Sequence, residues 1–206
     1  MIGARAAWQE VPPAPAARAA QYRGAVDPDL EQLERWRGGD QAAGEALFAR
    51  YFERLCRFFA TKCPGDVDEL VQRTLLACVR AKDQFRAESK FRSYVFTVAR
   101  HELYHHLRKR RLDGERLDFS VTSVADLVTT PATRLARNAE RRRVVETLRE
   151  LPVEQQTLLE LHYWDDLDIA ALAEVFETTP GAIRVRLHRA RKALRDRLNP
   201  ETAPMV

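Results

Sequence analysis

The segment from residue 180 to residue 198 constrains the fold of this 206-residue chain more than any other stretch. Its apolar side chains recur every three or four residues, which places them on one face of a helix. They are Ile183, Leu187, Ala190, Leu194 and Leu198. Thr179 can cap the helix, and Pro180 then takes the first helical position, where a missing N–H costs nothing. The remaining surface is basic, so the pattern predicts a cationic amphipathic helix.

A shorter apolar segment, residues 169–176, lies just before this helix and is joined to it by a tight polar turn. Two helices with a short turn between them, the second one cationic, are typical of a helix-turn-helix. In such motifs the second helix enters the major groove of DNA. The sequence therefore predicts that the last helix reads DNA.

Charge is distributed unevenly along the chain, although the formal net charge is only +4. Cations cluster at residues 108–111 and along the last helix, whereas acids cluster at residues 66–69 and 165–168. This asymmetry predicts two basic faces for phosphates and acidic faces for a different partner.

The expected fold is all-α, because no segment shows the alternating pattern of a strand. We expect two small helical domains joined by a flexible linker, the C-terminal one containing the helix-turn-helix. The predicted units are a flexible Ala/Pro-rich tail at 1–26, a first domain at 27–112, a linker at 113–132, a second domain at 133–200 and a short tail at 201–206. The linker prediction rests on the absence of a sustained period between two turn-forming stretches.

The third helix expected in the first domain, Phe91 to about Arg111, mixes aromatic and basic residues. Interleaved rings and cations can stack unpaired bases while they neutralise the adjacent phosphates. Alternatively, the rings belong to the core and the cations only solvate the end of the helix.

Motifs in both halves resemble those of bacterial sigma factors of the extracytoplasmic-function (ECF) group. Residues 66–72 (DVDELVQ), 83–86 (DQFR) and 91–100 (FRSYVFTVAR) are similar to region 2 of that family. Leu151-Pro152, residues 167–175 and residues 181–192 (GAIRVRLHRARK) resemble region 4. The resemblance covers about residues 28–112 and 133–198. It implies a non-catalytic factor that directs core RNA polymerase to specific promoters and helps open the −10 element.

The resemblance also implies a role for three sets of residues. Docking on core polymerase falls on Asp66, Asp68, Glu69, Leu70 and Gln72. Binding of the −10 element falls on Lys90, Phe91, Arg92, Tyr94, Arg100, Arg108 and Lys109. Binding of the −35 element falls on Arg184, Val185, Arg186, His188, Arg189 and Lys192, of which Arg184 and Arg186 are expected to hold phosphates.

Two positions at the ends of the first helix of the predicted helix-turn-helix depart from the family pattern. Glu177 stands in the turn where the family often carries Gly, so a positive φ there would be mildly strained. Asp168 stands where a Ser or Thr usually caps the first helix, a role that Asp can fill.

Parts of the sequence also fit two other functions. A conventional helix-turn-helix regulator would bind promoter DNA without core polymerase and would use the first domain as a sensor or dimerisation module. A zinc metalloprotease is suggested by His101, Glu102 and His105, which fit the HExxH pattern but lack a convincing third ligand.

Three cysteines without CxxC spacing, Cys56, Cys63 and Cys78, indicate reduced and buried thiols in a cytosolic protein. No apolar run approaches membrane-spanning length, so we expect a cytoplasmic protein without membrane insertion. The expected partners are core RNA polymerase, promoter DNA that is duplex at −35 and melted at −10, and an anti-sigma factor. We expect no catalytic residues, cofactor or metal.

Overall fold

The computed structural model describes residues 28–83, 90–110, 117–127 and 139–199. Within these ranges the chain forms helices joined by turns, and the one β-type contact is an isolated bridge between Ser123 and Pro152. The helices are α1 (Pro28–Arg37), α2 (Gln41–Ala60), α3 (Val67–Arg80), α4 (Phe91–Arg110), α5 (Val124–Leu127), α6 (Ala139–Arg149), α7 (Val153–Tyr163), α8 (Ile169–Val175) and α9 (Pro180–Leu198). The prediction of an all-α fold is confirmed. No helix in the described part of the chain is long and apolar enough to span a membrane.

Helices α1 to α4 form the first unit, which is built around one apolar core. Helix α2 begins at the cap residue Asp40, whose carboxylate accepts a hydrogen bond from the Ala43 N–H. Its apolar pattern predicts a buried side of Leu47, Phe48, Tyr51, Leu55, Phe58 and Phe59. All of these are buried except Phe48, which is half-buried. Ring edges interlock across this core, with Tyr51 meeting Phe91 at 5.7 Å between ring centroids.

The apolar pattern of α3 predicts a core stripe of Val67, Leu70, Val71, Leu75 and Val79. Leu70 and Val71 are buried and Val67 and Leu75 are half-buried, but Val79 is 39% exposed and Cys78 lies in the core instead. Thr74 is fully buried as well, because its hydroxyl donates to the Leu70 carbonyl at 2.8 Å and leaves only a methyl group to pack. The apolar pattern missed this residue since a threonine counts as polar.

Residues 117–127 lie within the stretch predicted as a linker, and they pack against both units. Leu117, Phe119 and Val124 are buried. The Phe119 ring stacks on Tyr104 of α4, with 4.2 Å between the ring centroids. The Val153 N–H at the start of α7 donates to the Thr122 carbonyl at 2.9 Å. This segment therefore bridges the end of α4 and the start of α7.

Helices α6 to α9 form the second unit, and α8 and α9 are its helix-turn-helix. The predicted core residues are all buried: Leu158, Leu159, Leu161, Leu167, Leu172, Val175 and Phe176. The Asp168 carboxylate caps α8 by accepting from the Ala171 N–H, and the Thr179 hydroxyl caps α9 by accepting from the Ala182 N–H. Both caps match the sequence prediction.

Candidate nucleic-acid interface

Helix α9 buries one face and exposes the face that the sequence assigned to DNA. Ile183, Leu187 and Ala190 are at most 2% exposed, so the helix is fixed against α7 and α8. The opposite face is open to solvent and carries Arg184, Val185, His188, Arg189 and Lys192. Val185 is 51% exposed, so its side chain is accessible on this face.

Other cations of the second unit are held by protein groups. Arg186 pairs with Glu154 at 2.6 Å, and Lys192 pairs with Asp196 one turn along α9 at 2.6 Å. Arg191 points inward, where its guanidinium meets the His162 ring nitrogen at 3.0 Å. Thus Arg191 supports the fold, whereas Arg184 and Arg189 lie on the exposed face.

The turn between α8 and α9 contains the positive φ that the sequence predicted. Glu177 adopts φ 52°, a left-handed conformation that costs a residue with a Cβ roughly 1 kcal/mol compared with Gly. Its carboxylate is used nonetheless, because it accepts from Arg100 of α4 at 2.5 Å and lies 3.2 Å from His101 Nε2. Partial burial would raise the pKa of Glu177, but these hydrogen bonds outweigh it and hold that pKa below its usual value.

The basic face of α4 is in contact with the second unit and with residues 117–127. Lys90 lies 3.4 Å from the Asp168 carboxylate, and Arg92 donates to the Asp165 carbonyl at 3.3 Å. The Arg100 guanidinium lies 5.5 Å from the centre of the Phe176 ring, in addition to its bond with Glu177. Lys109 is exposed, and the Arg108 guanidinium lies 5.1 Å from the centre of the Phe119 ring.

The aromatic residues predicted to meet the −10 element differ in accessibility. Phe91 is 1% exposed and packs in the core of the first unit. Tyr94 is partly exposed beside it, with 6.1 Å between the ring centroids. Burial, together with the nearby Cys78, raises the pKa of Tyr94 to about 12. Tyr94, not Phe91, is therefore the ring that reaches the surface.

The residues predicted to dock on polymerase lie at the start of α3. Asp68, Glu69 and Gln72 are exposed, whereas Leu70 is fully buried. The Asp66 carboxylate is held within the protein by Arg110 at 2.5 Å and by the His106 ring at 3.2 Å. Two exposed apolar residues that the sequence pattern did not single out are Phe52 on α2 and Leu76 on this same helix. Val79, which the pattern assigned to the core, is exposed beside Leu76.

The HExxH pattern is engaged in other contacts. Glu102 pairs with Arg73 at 2.7 Å, and the same guanidinium meets His105 Nδ1 at 3.0 Å. His101 lies against Glu177 of the second unit. Within residues 28–83, 90–110, 117–127 and 139–199, no group of three or more His, Cys, Asp or Glu residues is placed to hold a metal ion.

The sequence missed the carboxylates that face the basic residues of the first unit. Glu160 is buried against the equally buried Lys62, and the Thr61 hydroxyl donates to it at 3.1 Å. The carboxylate of Asp165 is 3.6 Å from Arg57. Burial raises the pKa of Asp165 to about 6, although Arg57 and Arg54 oppose this rise. The acidic cluster at 165–168 was the only available signal, and it suggested a different partner.

Two family models match the chain, one in each helical unit. The model described as sigma-70 region 2 matches residues 47–112, and the model described as sigma-70, region 4 matches residues 141–194. Together they cover more than half of the 206 residues. Their order along the chain is the order of the two units.

Curated relatives match over nearly their whole length. The ECF RNA polymerase sigma-E factors of Escherichia coli K12 and of Salmonella typhimurium are each 26% identical over 181 residues, which covers 84% of this chain and 95% of theirs. The corresponding factor of Haemophilus influenzae is 24% identical and is covered to 96%.

Two solved structures share the fold. The structure of CnrH in complex with the cytosolic domain of CnrY is 25% identical, with a TM-score of 0.65, and the match covers 85% of this chain and all of CnrH. The sigma factor RpoE in complex with the anti-sigma factor NepR from Bartonella quintana is 22% identical, with a TM-score of 0.58 over 75% of this chain and 96% of RpoE.

Proposed function

The chain belongs to the sigma-70 family, in its extracytoplasmic-function group, and we propose that its two helical units each read one element of a promoter. It is a transcription initiation factor, not an enzyme, and it directs core RNA polymerase to specific promoters. The main support for assigning one promoter element to each unit is the exposed basic face of α9. The opposite face of this helix is buried in the second unit.

For the −35 element, the proposed base contacts are Val185, His188 and Arg189. Their side chains are exposed on one side of α9, and a helix of this kind enters the major groove. Arg184, Arg186 and Lys192 flank them and would hold phosphates, which carry affinity but no direct sequence information. Val185 would meet a thymine methyl group, the natural apolar feature of the major groove.

For the −10 element, the proposed contacts are on α4 and just before it. Lys90, Arg92, Arg100, Arg108 and Lys109 would neutralise phosphates of the melted strand. Tyr94 would stack an unpaired base, because its ring reaches the surface. Phe91 is not among the proposed contacts, because its side chain packs in the core.

For core polymerase, the proposed docking surface is the exposed side of α3 near its start. Asp68, Glu69 and Gln72 supply its polar part. Leu76 and Val79 extend it with apolar area, being 47% and 39% exposed. Exposed apolar residues next to acids are typical of a protein interface.

Two further statements rest on family membership. Members of this group are commonly held inactive by an anti-sigma factor, and we propose that such a protein binds this chain. The solved relatives CnrH and RpoE are themselves complexes, with CnrY and with the anti-sigma factor NepR. We infer that the protein acts in the cytoplasm, where bacterial RNA polymerase transcribes the chromosome.

In vitro transcription tests the proposed function directly. Purified chain and core RNA polymerase would be mixed with a promoter library made from fragments of the source genome, and the transcript starts would be sequenced. We expect initiation only when both proteins are present, and aligned starts should reveal one sequence near −35 and another near −10. Tight binding to duplex promoter DNA without any binding to core polymerase would instead identify a conventional helix-turn-helix regulator.

A further inference from the structure

The proposed −10 face is occupied in this structure by groups of the second unit. Lys90 contacts Asp168, Arg92 contacts the Asp165 carbonyl and Arg100 contacts Glu177. In each of these three contacts the cation meets an oxygen acceptor, as it would meet a phosphate oxygen of DNA. The second unit thus presents these three cations with the kind of partner that DNA would supply.

The acceptors form one edge of the helix-turn-helix. Asp168 and Glu177, which we call the acidic edge, lie before and after α8. Partial burial would raise the pKa of Asp168, but the Ala171 N–H and Lys90 outweigh it and keep the pKa below its usual value. Both carboxylates are therefore charged at neutral pH.

Glu177 also shows that this contact has a conformational cost. Its backbone has a positive φ, which glycine would adopt without strain. The carboxylate nevertheless makes close contacts with Arg100 and His101 of the first unit. A glycine would satisfy the turn alone, but it would leave Arg100 without its anionic partner.

The DNA face of α9 lies elsewhere and stays open. Val185, His188 and Arg189 are exposed, although α8 packs against α4. The two promoter-reading faces are therefore in different states: the face on α9 makes no contact with the first unit through these residues, whereas Lys90, Arg92 and Arg100 of the −10 face already contact the second unit. The exposed side chains of α9 are free of such contacts, whereas a single strand that binds Lys90 and Arg100 must first displace the acidic edge.

We propose that the acidic edge acts as an intramolecular competitor of single-stranded promoter DNA, closing the basic face of α4 until the melted strand displaces it. The inference rests on the proposed −10 role of α4. Because of this competition, the free protein can bind the −35 element before it can bind the −10 element. Linkage also requires that a bound single strand weaken the contact between the units by the same factor.

Charge-neutral variants of the acidic edge test this competition without touching the DNA-binding residues. Glu177→Gln removes the anion and keeps the side-chain length. Asp168→Asn removes the other anion, and asparagine still caps a helix. The matched control is Glu174→Gln, an equal change of charge at an exposed position of α8. Glu177→Gly is a second variant, which removes the carboxylate and relieves the positive φ.

Two fluorescein-labelled probes would be titrated with the full chain at low salt: a 15-nucleotide oligothymidylate and a mixed-sequence duplex. We expect Glu177→Gln and Glu177→Gly to bind oligothymidylate about fivefold more tightly than the wild type, because a partly buried charge-assisted contact is lost. Asp168→Asn should gain about twofold, since the Lys90 contact is long and exposed. Duplex affinity should match that of the Glu174→Gln control.

Equal gains for both probes, or gains no larger than those of Glu174→Gln, would overturn the competition, because added positive charge alone would then explain them. Failure of the −10 role is distinguishable. If Arg92→Ala and Lys109→Ala, combined in the Glu177→Gln background, leave oligothymidylate affinity unchanged, the −10 role of α4 fails while the comparison of Glu177→Gln with Glu174→Gln still stands. The transcription assay with core polymerase tests the promoter function separately from both.

Discussion

Replacing Asp165 by Asn should stabilise the protein, and the gain should depend on pH. The carboxyl is buried between the two units, and burial raises its pKa from 3.8 to about 6. A raised carboxyl pKa means that the folded state binds the proton more tightly than the unfolded state does. The group therefore opposes folding when it is ionised, and this opposition weakens as the pH falls through 6.

The magnitude follows from the two pKa values. A shift of one pKa unit corresponds to about 1.4 kcal/mol, so the ionised Asp165 costs about 3 kcal/mol at pH 8 relative to a neutral isostere. At pH 5 the folded group is mostly protonated, and the same calculation leaves about half of this cost. This cost already includes the attraction of Arg57 and Arg54, because the pKa of about 6 is the net result of burial and of these opposing charges.

Urea unfolding at pH 8 and at pH 5 measures this difference. The free energy of unfolding of Asp165→Asn minus that of the wild type should be positive at pH 8, by about 3 kcal/mol, and about half as large at pH 5. Groups common to both proteins cancel in this difference. Glu174→Gln, on the exposed side of α8, should give the same difference at both pH values. Destabilisation by Asp165→Asn at pH 8 would refute the reasoning, since it would mean that Arg57 and Arg54 stabilise the carboxylate more than burial penalises it.

Three further outcomes are expected. Arg189→Ala should reduce preference for one −35 base pair by about 1–3 kcal/mol in binding assays with point-substituted duplexes, and a uniform loss across all sequences would assign Arg189 to phosphate. Reversing two exposed charges with Asp68→Arg and Glu69→Arg should abolish binding to core polymerase in pull-down assays while circular dichroism stays unchanged; retained binding would remove both from the interface. Gly44→Ala should destabilise the fold by about 1–3 kcal/mol in thermal unfolding, because a Cβ there would lie 2.6 Å from the Trp36 ring, and a neutral result would show that the indole moves.

The sequence predicted the features that depend on local pattern. The buried face of α9, its Thr179 cap and the positive φ at Glu177 all follow from periodicity or from the stereochemistry of a short turn. Val79 was assigned to the core wrongly, because an apolar residue at the edge of a helical stripe can face either way. Local pattern carries no information about which side of the second unit meets the first.

Contacts between the two units could not be predicted for that reason. The ion pair between Arg100 and Glu177 joins residues far apart in sequence, and neither residue's neighbours indicate the other. Phe119 lies in a stretch without a period, yet it stacks on Tyr104. Its packing depends on the path of the chain between the units, which the sequence pattern left open. The assigned contact residues on polymerase and DNA remain predictions.

The buried pair of Lys62 and Glu160 affects how the protein behaves when its units separate. If apolar residues stood in place of this pair, separation of the units would expose hydrophobic surface that promotes association with other chains. Here, opening returns an ammonium and a carboxylate to water, and hydration compensates much of the attraction that is lost. Added salt further weakens the exposed ion pairs around it. This part of the contact between the units therefore adds charged groups, and no apolar surface, to the separated state.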